Sequence, residues 1–197
     1  MSRAPRVAAL LLTSAVAVSG CAVVGPAGQG SAEPAPASSP TASGAAPDGP
    51  HLVAEGLVFD AAAHDVDPDG DCEGVSGRER WESFDRAAWP ALDVPAGSAT
   101  LTCGNASGAG WRHIADGHTG DFGELADPIG ASWEDVAVFA IDRALEQPTR
   151  VEPYRDDIVN YDVLVELVGA DEPRSWMVTV GVGLGTGQVI TAFPDEQ

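Results

Sequence analysis

Apolar residues recur along this chain with two different periods. From Ser132 to Gln147 the period is helical. Trp133, Val136, Ala137, Ala140, Ile141, Ala144 and Leu145 fall at three- and four-residue steps, with Glu134, Asp135, Asp142, Arg143 and Glu146 on the other side. Ser132 with Asp135 three residues on resembles a capping box, Asp standing in place of Glu, and Gln147-Pro148 ends the helix. Beyond it the period becomes two. Strands are expected over about Asn160–Val168, Ser175–Gly183 and Gln188–Phe193, preceded by a short one near Arg150–Tyr154. Tyr161, Val163, Val165 and Leu167 share one face, as do Trp176, Val178, Val180 and Val182. Short turns at Ala170–Pro173 and Gly183–Gly187 make these strands an antiparallel meander. The fold class is therefore α+β, with helices packed on a C-terminal antiparallel sheet.

The pattern upstream is shorter-ranged. His51 to Ala63 carries Leu52, Val53, Leu57, Val58 and Phe59 and reads as one short strand. Gly77 to Trp89 reads as a helix, with Trp81, Phe84 and Ala88 at helical spacing and Pro90 as its stop. Ser98 to Cys103 is a strand and Gly104 to Gly110 a loop. Trp111 to Asp116 fits a short helical turn that Gly117 ends with positive φ. That stop matters for His113 and His118, because on one continuous helix they stand about 140° apart around the axis. They converge only where the helix ends between them.

Composition adds an address. Met1 to Gly20 has Arg3 and Arg6 before a short apolar run, the form of an export signal too short to span a bilayer comfortably. It ends Val18-Ser19-Gly20-Cys21, which resembles the lipobox of bacterial lipoproteins. The resemblance implies that Cys21 is acylated after cleavage and anchors the chain to the cell membrane on its extracytoplasmic side. The alternative is an ordinary secretory signal with a chance cysteine. Residues 21–50 are then the lipidated Cys followed by a disordered tether, rich in Ala, Gly, Pro and Ser with almost no large apolar residue. One folded domain of about 145 residues remains, divided here into an N-terminal part, 51–109, and a C-terminal part, 110–197.

Charge and cysteines narrow the chemistry. The formal net charge is −20, lysine is absent, and removal of the signal deletes two more arginines. Long-range electrostatics oppose binding to nucleic acid and anionic lipid, and DNA is not an expected partner. With Cys21 assigned to lipid, Cys72 and Cys103 form an even pair in an exported chain, and a disulfide worth roughly 3 kcal/mol is expected. Asp65, Asp67 and Asp69 before Gly70 look like the first half of a calcium loop, but Ser76 stands where a bidentate Glu belongs. An acidic, solvated loop is the better reading.

A resemblance covers about Gly110 to Pro194. Trp111-Arg112-His113-Ile114 with His118, the helix opening Ser132-Trp133-Glu134-Asp135-Val136, and the strand Val189-Ile190-Thr191-Ala192-Phe193-Pro194 are similar to the C-terminal ribonuclease domains of bacterial polymorphic toxins, of the barnase–EndoU–colicin–RelE grouping. The resemblance implies metal-independent RNA cleavage, with no cofactor. His113 and His118 would be base and acid, in an unassigned order, because an ordinary histidine titrates near neutrality. Thr191 would hydrogen-bond the phosphate. The expected lysine is missing, and Arg112, Arg150 or Arg155 would have to supply the cation. A zinc set of His113 and His118 with Asp116 or Asp121 has no recognisable spacing. Two functions follow: an exported, membrane-anchored ribonuclease-like domain acting on RNA, or a non-catalytic surface lipoprotein using the same fold for a protein or ligand partner at the envelope.

Overall fold

The computed structural model describes residues 47–197. The expected export signal, Cys21 and the expected tether up to residue 46 lie outside the described residues. Eight strands and three α-helices follow in the order β1 (His51–Ala54), β2 (Leu57–Val58), α1 (Pro68–Cys72), β3 (Arg80–Arg86), β4 (Gly97–Thr102), α2 (Trp111–Ala126), α3 (Trp133–Glu146), β5 (Arg150–Arg155), β6 (Ile158–Val168), β7 (Arg174–Gly183) and β8 (Val189–Glu196). No helix of the described residues is long and apolar enough to cross a membrane.

The expected α+β class and the C-terminal meander are both present: β6, β7 and β8 pair antiparallel in sequence order. The sheet has six strands, because β5 and β1 lie end to end along the other edge of β6 and β2 pairs with β1. β5 pairs with Ile158–Asp162 and β1 with Val165–Val168. Alternation sends Tyr161, Val163 and Val165 of β6, and Trp176, Val178, Val180 and Val182 of β7, into the core, all buried. α3 lies on that inner face, its N-terminus capped by the Ser132 hydroxyl accepting from the Asp135 amide. The second half of the expected capping box is not made, since the Asp135 carboxylate accepts instead from the amide of Val66. Val136, Phe139, Ile141 and Leu145 are fully buried, and each such side chain contributes about 1.5–3 kcal/mol by leaving water.

Two upstream elements differ from the periodicity. The segment read as a helix from Gly77 to Trp89 contains β3, which pairs with β4 in a two-stranded ribbon. A bulge between Arg80 and Glu82 inserts one extra residue. Trp81 and Phe84, three apart, can then both turn toward the core, which imitates helical spacing. The segment read as one strand from His51 is a hairpin, turned by Glu55 and Gly56 at positive φ of 47° and 77°.

The acidic loop is structured by its own carboxylates. Asp67 caps α1 by accepting from the Gly70 amide, Asp69 accepts from the Trp111 indole at 2.8 Å and Asp71 from the Trp81 indole at 3.1 Å. Carboxylates occupied in this way do not converge on one centre, and the described residues hold no cluster of three metal-ligating side chains. The expected disulfide joins Cys72 at the end of α1 to Cys103 just after β4.

Candidate functional site

The two histidines stand on α2, and α2 does not stop at Gly117. It runs unbroken for 16 residues, and Gly117 is not among the glycines with positive φ. The turn continues because both ends of the helix are pinned. Trp111 and Ile114 at one end, and Phe122 and Leu125 at the other, are fully buried, and that packing outweighs the helix propensity lost at Gly117, Gly120 and Gly123, about 1 kcal/mol each against alanine. Trp111 is fixed further by stacking on Trp133, with centroids 5.0 Å apart, and by its bond to Asp69.

Without a helix end, His113 and His118 still meet, their ring centroids 6.3 Å apart and their planes perpendicular. Five residues of helix rise only about 7.5 Å, so two imidazoles on flanking sides can lean toward the edge they share with β8. There Phe193 stacks on His118, centroids 5.5 Å apart.

Each imidazole is oriented by one partner. His113 Nδ1 lies 2.9 Å from the carbonyl oxygen of Ala106, in the loop that follows Cys103. His118 Nδ1 lies 2.9 Å from a carboxylate oxygen of Asp121, one turn along the helix. A carbonyl or carboxylate oxygen only accepts, so both Nδ1 atoms carry the proton and donate it. Both Nε2 atoms are thereby left to act. A neutral imidazole accepts a proton there and a protonated one donates.

Thr191 faces away from the core, on the outer side of the sheet. Pairing registers lay out two rows across that face. One row runs Arg150, Asp162, Thr179, Phe193 and then His118; the next runs Glu152, Asn160, Gly181, Thr191. Asp162 is buried and fully engaged: one oxygen accepts from Arg150 Nε and a terminal nitrogen at 2.9 and 2.8 Å, the other from the Thr179 hydroxyl at 2.8 Å. The hydrogen bond and charge of Asp162, with the charge of Glu152, hold the Arg150 guanidinium above its ordinary range. The Thr191 hydroxyl is buried without a partner among the described residues.

The three arginines are not brought to the histidines. Arg112 donates to the carbonyls of Gly104 and Val75, each at 3.0 Å, and to that of Cys72, tying α2 to the disulfide region. Arg150 is held by Asp162, and β5 lies three strand spacings, about 14 Å, from β8. Arg155 sits over the Tyr154 ring, 4.9 Å from its centroid, on that same distant strand. Asp121, weighed only as a metal ligand, is instead the partner of His118 Nδ1; Phe193, Asn160, Asp162 and Gly181 were not anticipated as site residues. Polar Asn160 and Asp162 alternate with buried Val159, Tyr161 and Val163, and this is the signal that places them on the outer face of the sheet.

No family model and no solved structure matches the chain. Two Mycobacterium tuberculosis proteins are similar to it, uncharacterized protein Rv0739 of strain H37Rv and uncharacterized protein MT0764 of strain CDC 1551 / Oshkosh, each 33% identical over 104 residues. The match covers 51% of this chain, and only 38% of the length of each relative.

Proposed function

We propose that the described domain is a metal-independent RNA-cleaving domain of the polymorphic-toxin ribonuclease type, carried outside the cytoplasm on a lipid anchor at Cys21. The observation that supports this reading is the histidine pair: perpendicular rings 6.3 Å apart, each with Nδ1 held. One Nε2 takes the proton of a ribose 2′-hydroxyl as its oxygen attacks phosphorus. The P–O5′ bond breaks, and the other imidazole, protonated, gives its proton to the departing 5′ oxygen. The products are a 2′,3′-cyclic phosphate and a free 5′-hydroxyl. The Thr191 hydroxyl, without a protein partner, is the donor for a phosphate oxygen, reached by rotation about χ1.

The test uses the full chain purified with Cys21→Ser. Incubated with single-stranded RNA in EDTA between pH 5 and 8, it yields cyclic-phosphate ends, and His113→Ala or His118→Ala abolishes them. With a net charge of −20, the rate at low RNA concentration rises as salt is raised to about 0.15 M, because screening removes repulsion. A folded protein that releases no cyclic phosphate refutes the reading. Incorporation of labelled palmitate, lost in Cys21→Ala, tests the anchor separately.

One observation favours the second reading, a non-catalytic envelope lipoprotein that binds a protein or ligand partner: none of Arg112, Arg150 and Arg155 reaches the histidines to neutralise a pentavalent phosphorane. Binding of RNA fragments with no turnover would select it.

A further inference from the structure

Beside Thr191 the outer face of the sheet holds a hollow of about 150 Å³. Its floor exists because Gly181 has no side chain. A Cβ built there would lie 3.5 Å from Asn160 Oδ1 and 3.5 Å from Thr191 Cγ2, so the empty space sits directly between those two residues. Glycine inside a paired strand weakens it, and Gly181 with Gly183 leaves this end of the outer face of β7 without side chains. The floor leaves the β7 backbone open to close approach.

The walls are apolar and aromatic. Ile158, Ile190, Tyr154 and Phe193 line it. Tyr154 is on β5 and Phe193 on β8, strands separated by three spacings, about 14 Å across the sheet. The side-chain hydrogen bonds of this face belong to the neighbouring row around Asp162. The Asn160 carboxamide, with donors and an acceptor on one planar group, borders the hollow and has no partner among the described residues. Phe193 joins this hollow to the histidine pair, since the same ring lines one and stacks on the other.

We propose that the hollow over Gly181 is a nucleobase pocket, in which one planar ring rests on the β7 backbone and the Asn160 carboxamide hydrogen-bonds its edge. The proposal rests on the ribonuclease reading only for the identity of the polymer that carries the base. The order across the face is then base at Asn160 and Gly181, phosphate at Thr191, and proton transfer at His113 and His118. A neutral base enters an apolar, uncharged hollow, so recognition here escapes the repulsion that the acidic surface exerts on phosphate. Carboxamides hydrogen-bond adenine through paired donor and acceptor, and adenine is the base expected to bind best.

The test titrates the Cys21→Ser chain with the four free nucleosides and, as a control, with indole, following the Gly181 amide and Asn160 carboxamide signals by NMR. Adenosine shifts both signals. Gly181→Ala, whose added methyl meets only ordinary contacts, and Asn160→Ala each weaken binding about tenfold or more. Melting temperatures of the variants confirm that they are folded. If no nucleoside moves these signals at millimolar concentration, the pocket is wrong. Equal binding by Gly181→Ala, or indole binding as well as adenosine, overturns it too. RNA cleavage without nucleoside binding refutes the pocket and leaves the ribonuclease reading standing. Nucleoside binding without cleavage does the reverse.

Discussion

Replacing Gly117 by alanine tests the helix on which the histidines stand. If Gly117 ended a helical turn with positive φ, alanine there would be strained and would destabilise the protein by 1 kcal/mol or more. In the structure Gly117 lies inside α2, lacks positive φ, and an added Cβ meets nothing within 4 Å. Alanine then gains helix propensity and loses unfolded-state freedom, together about 0.8 kcal/mol of stabilisation. For the domain over residues 47–197, unfolding entropy near 2.1 cal/mol/K per residue gives about 0.3 kcal/mol per degree. Gly117→Ala should therefore melt about 2–3 °C higher. Gly120 and Gly123 are open in the same way, so the triple alanine variant should gain about 7 °C. Differential scanning calorimetry and urea titration measure both. The separation of the two imidazoles should not change, which NOE contacts between His113 and His118 can check. A lower melting temperature for Gly117→Ala would refute the reasoning and restore a helix broken between the histidines.

Removing the disulfide by Cys72→Ala with Cys103→Ala releases a link across a sequence separation of 31; loop closure makes this worth about 3.7 kcal/mol, a fall of roughly 12 °C in melting temperature, and a fall under about 3 °C would contradict it. The Glu196 carboxylate is held below its ordinary range, first by the hydrogen bond from Arg174 and then by its charge, against partial burial. Its folded value is depressed, so the pair's stabilisation is in place above the ordinary carboxylate range and is lost as pH falls through the lowered value. Arg174→Gln should return the Glu196 titration, followed by carboxyl NMR, to the ordinary range. Burial, partly offset by nearby Arg86, pushes the Tyr161 phenol up, and its hydroxyl has no hydrogen-bond partner among the described residues. That stabilisation is present below the unfolded value and lost as pH rises through the folded one. Tyr161→Phe should be neutral or slightly stabilising at pH 7 and should flatten the alkaline limb of the stability curve.

The sequence by itself determined α3, the β6–β8 meander and the Cys72–Cys103 pairing. Those features depend on which side of an element is apolar, or on counting cysteines, and periodicity or composition carries that information locally. It misplaced β3 because a bulge lets Trp81 and Phe84 share the core at a spacing that imitates a helix. It ended α2 at Gly117 because propensity at a single glycine was weighed without the buried Trp111, Ile114, Phe122 and Leu125 that hold the helix on both sides. His113, His118 and Thr191 could be named from the chain, but their partners could not. Phe193 reaches His118 through packing of β8 on α2, and Asn160 reaches Gly181 and Thr191 through the register of three strands. Register between distant segments is set by the whole core at once, and a shift of one residue would turn Asn160, Asp162 and Thr191 inward. The identity of the candidate residues is thus written in the sequence, and their convergence on one face is decided only when the sheet closes over α3.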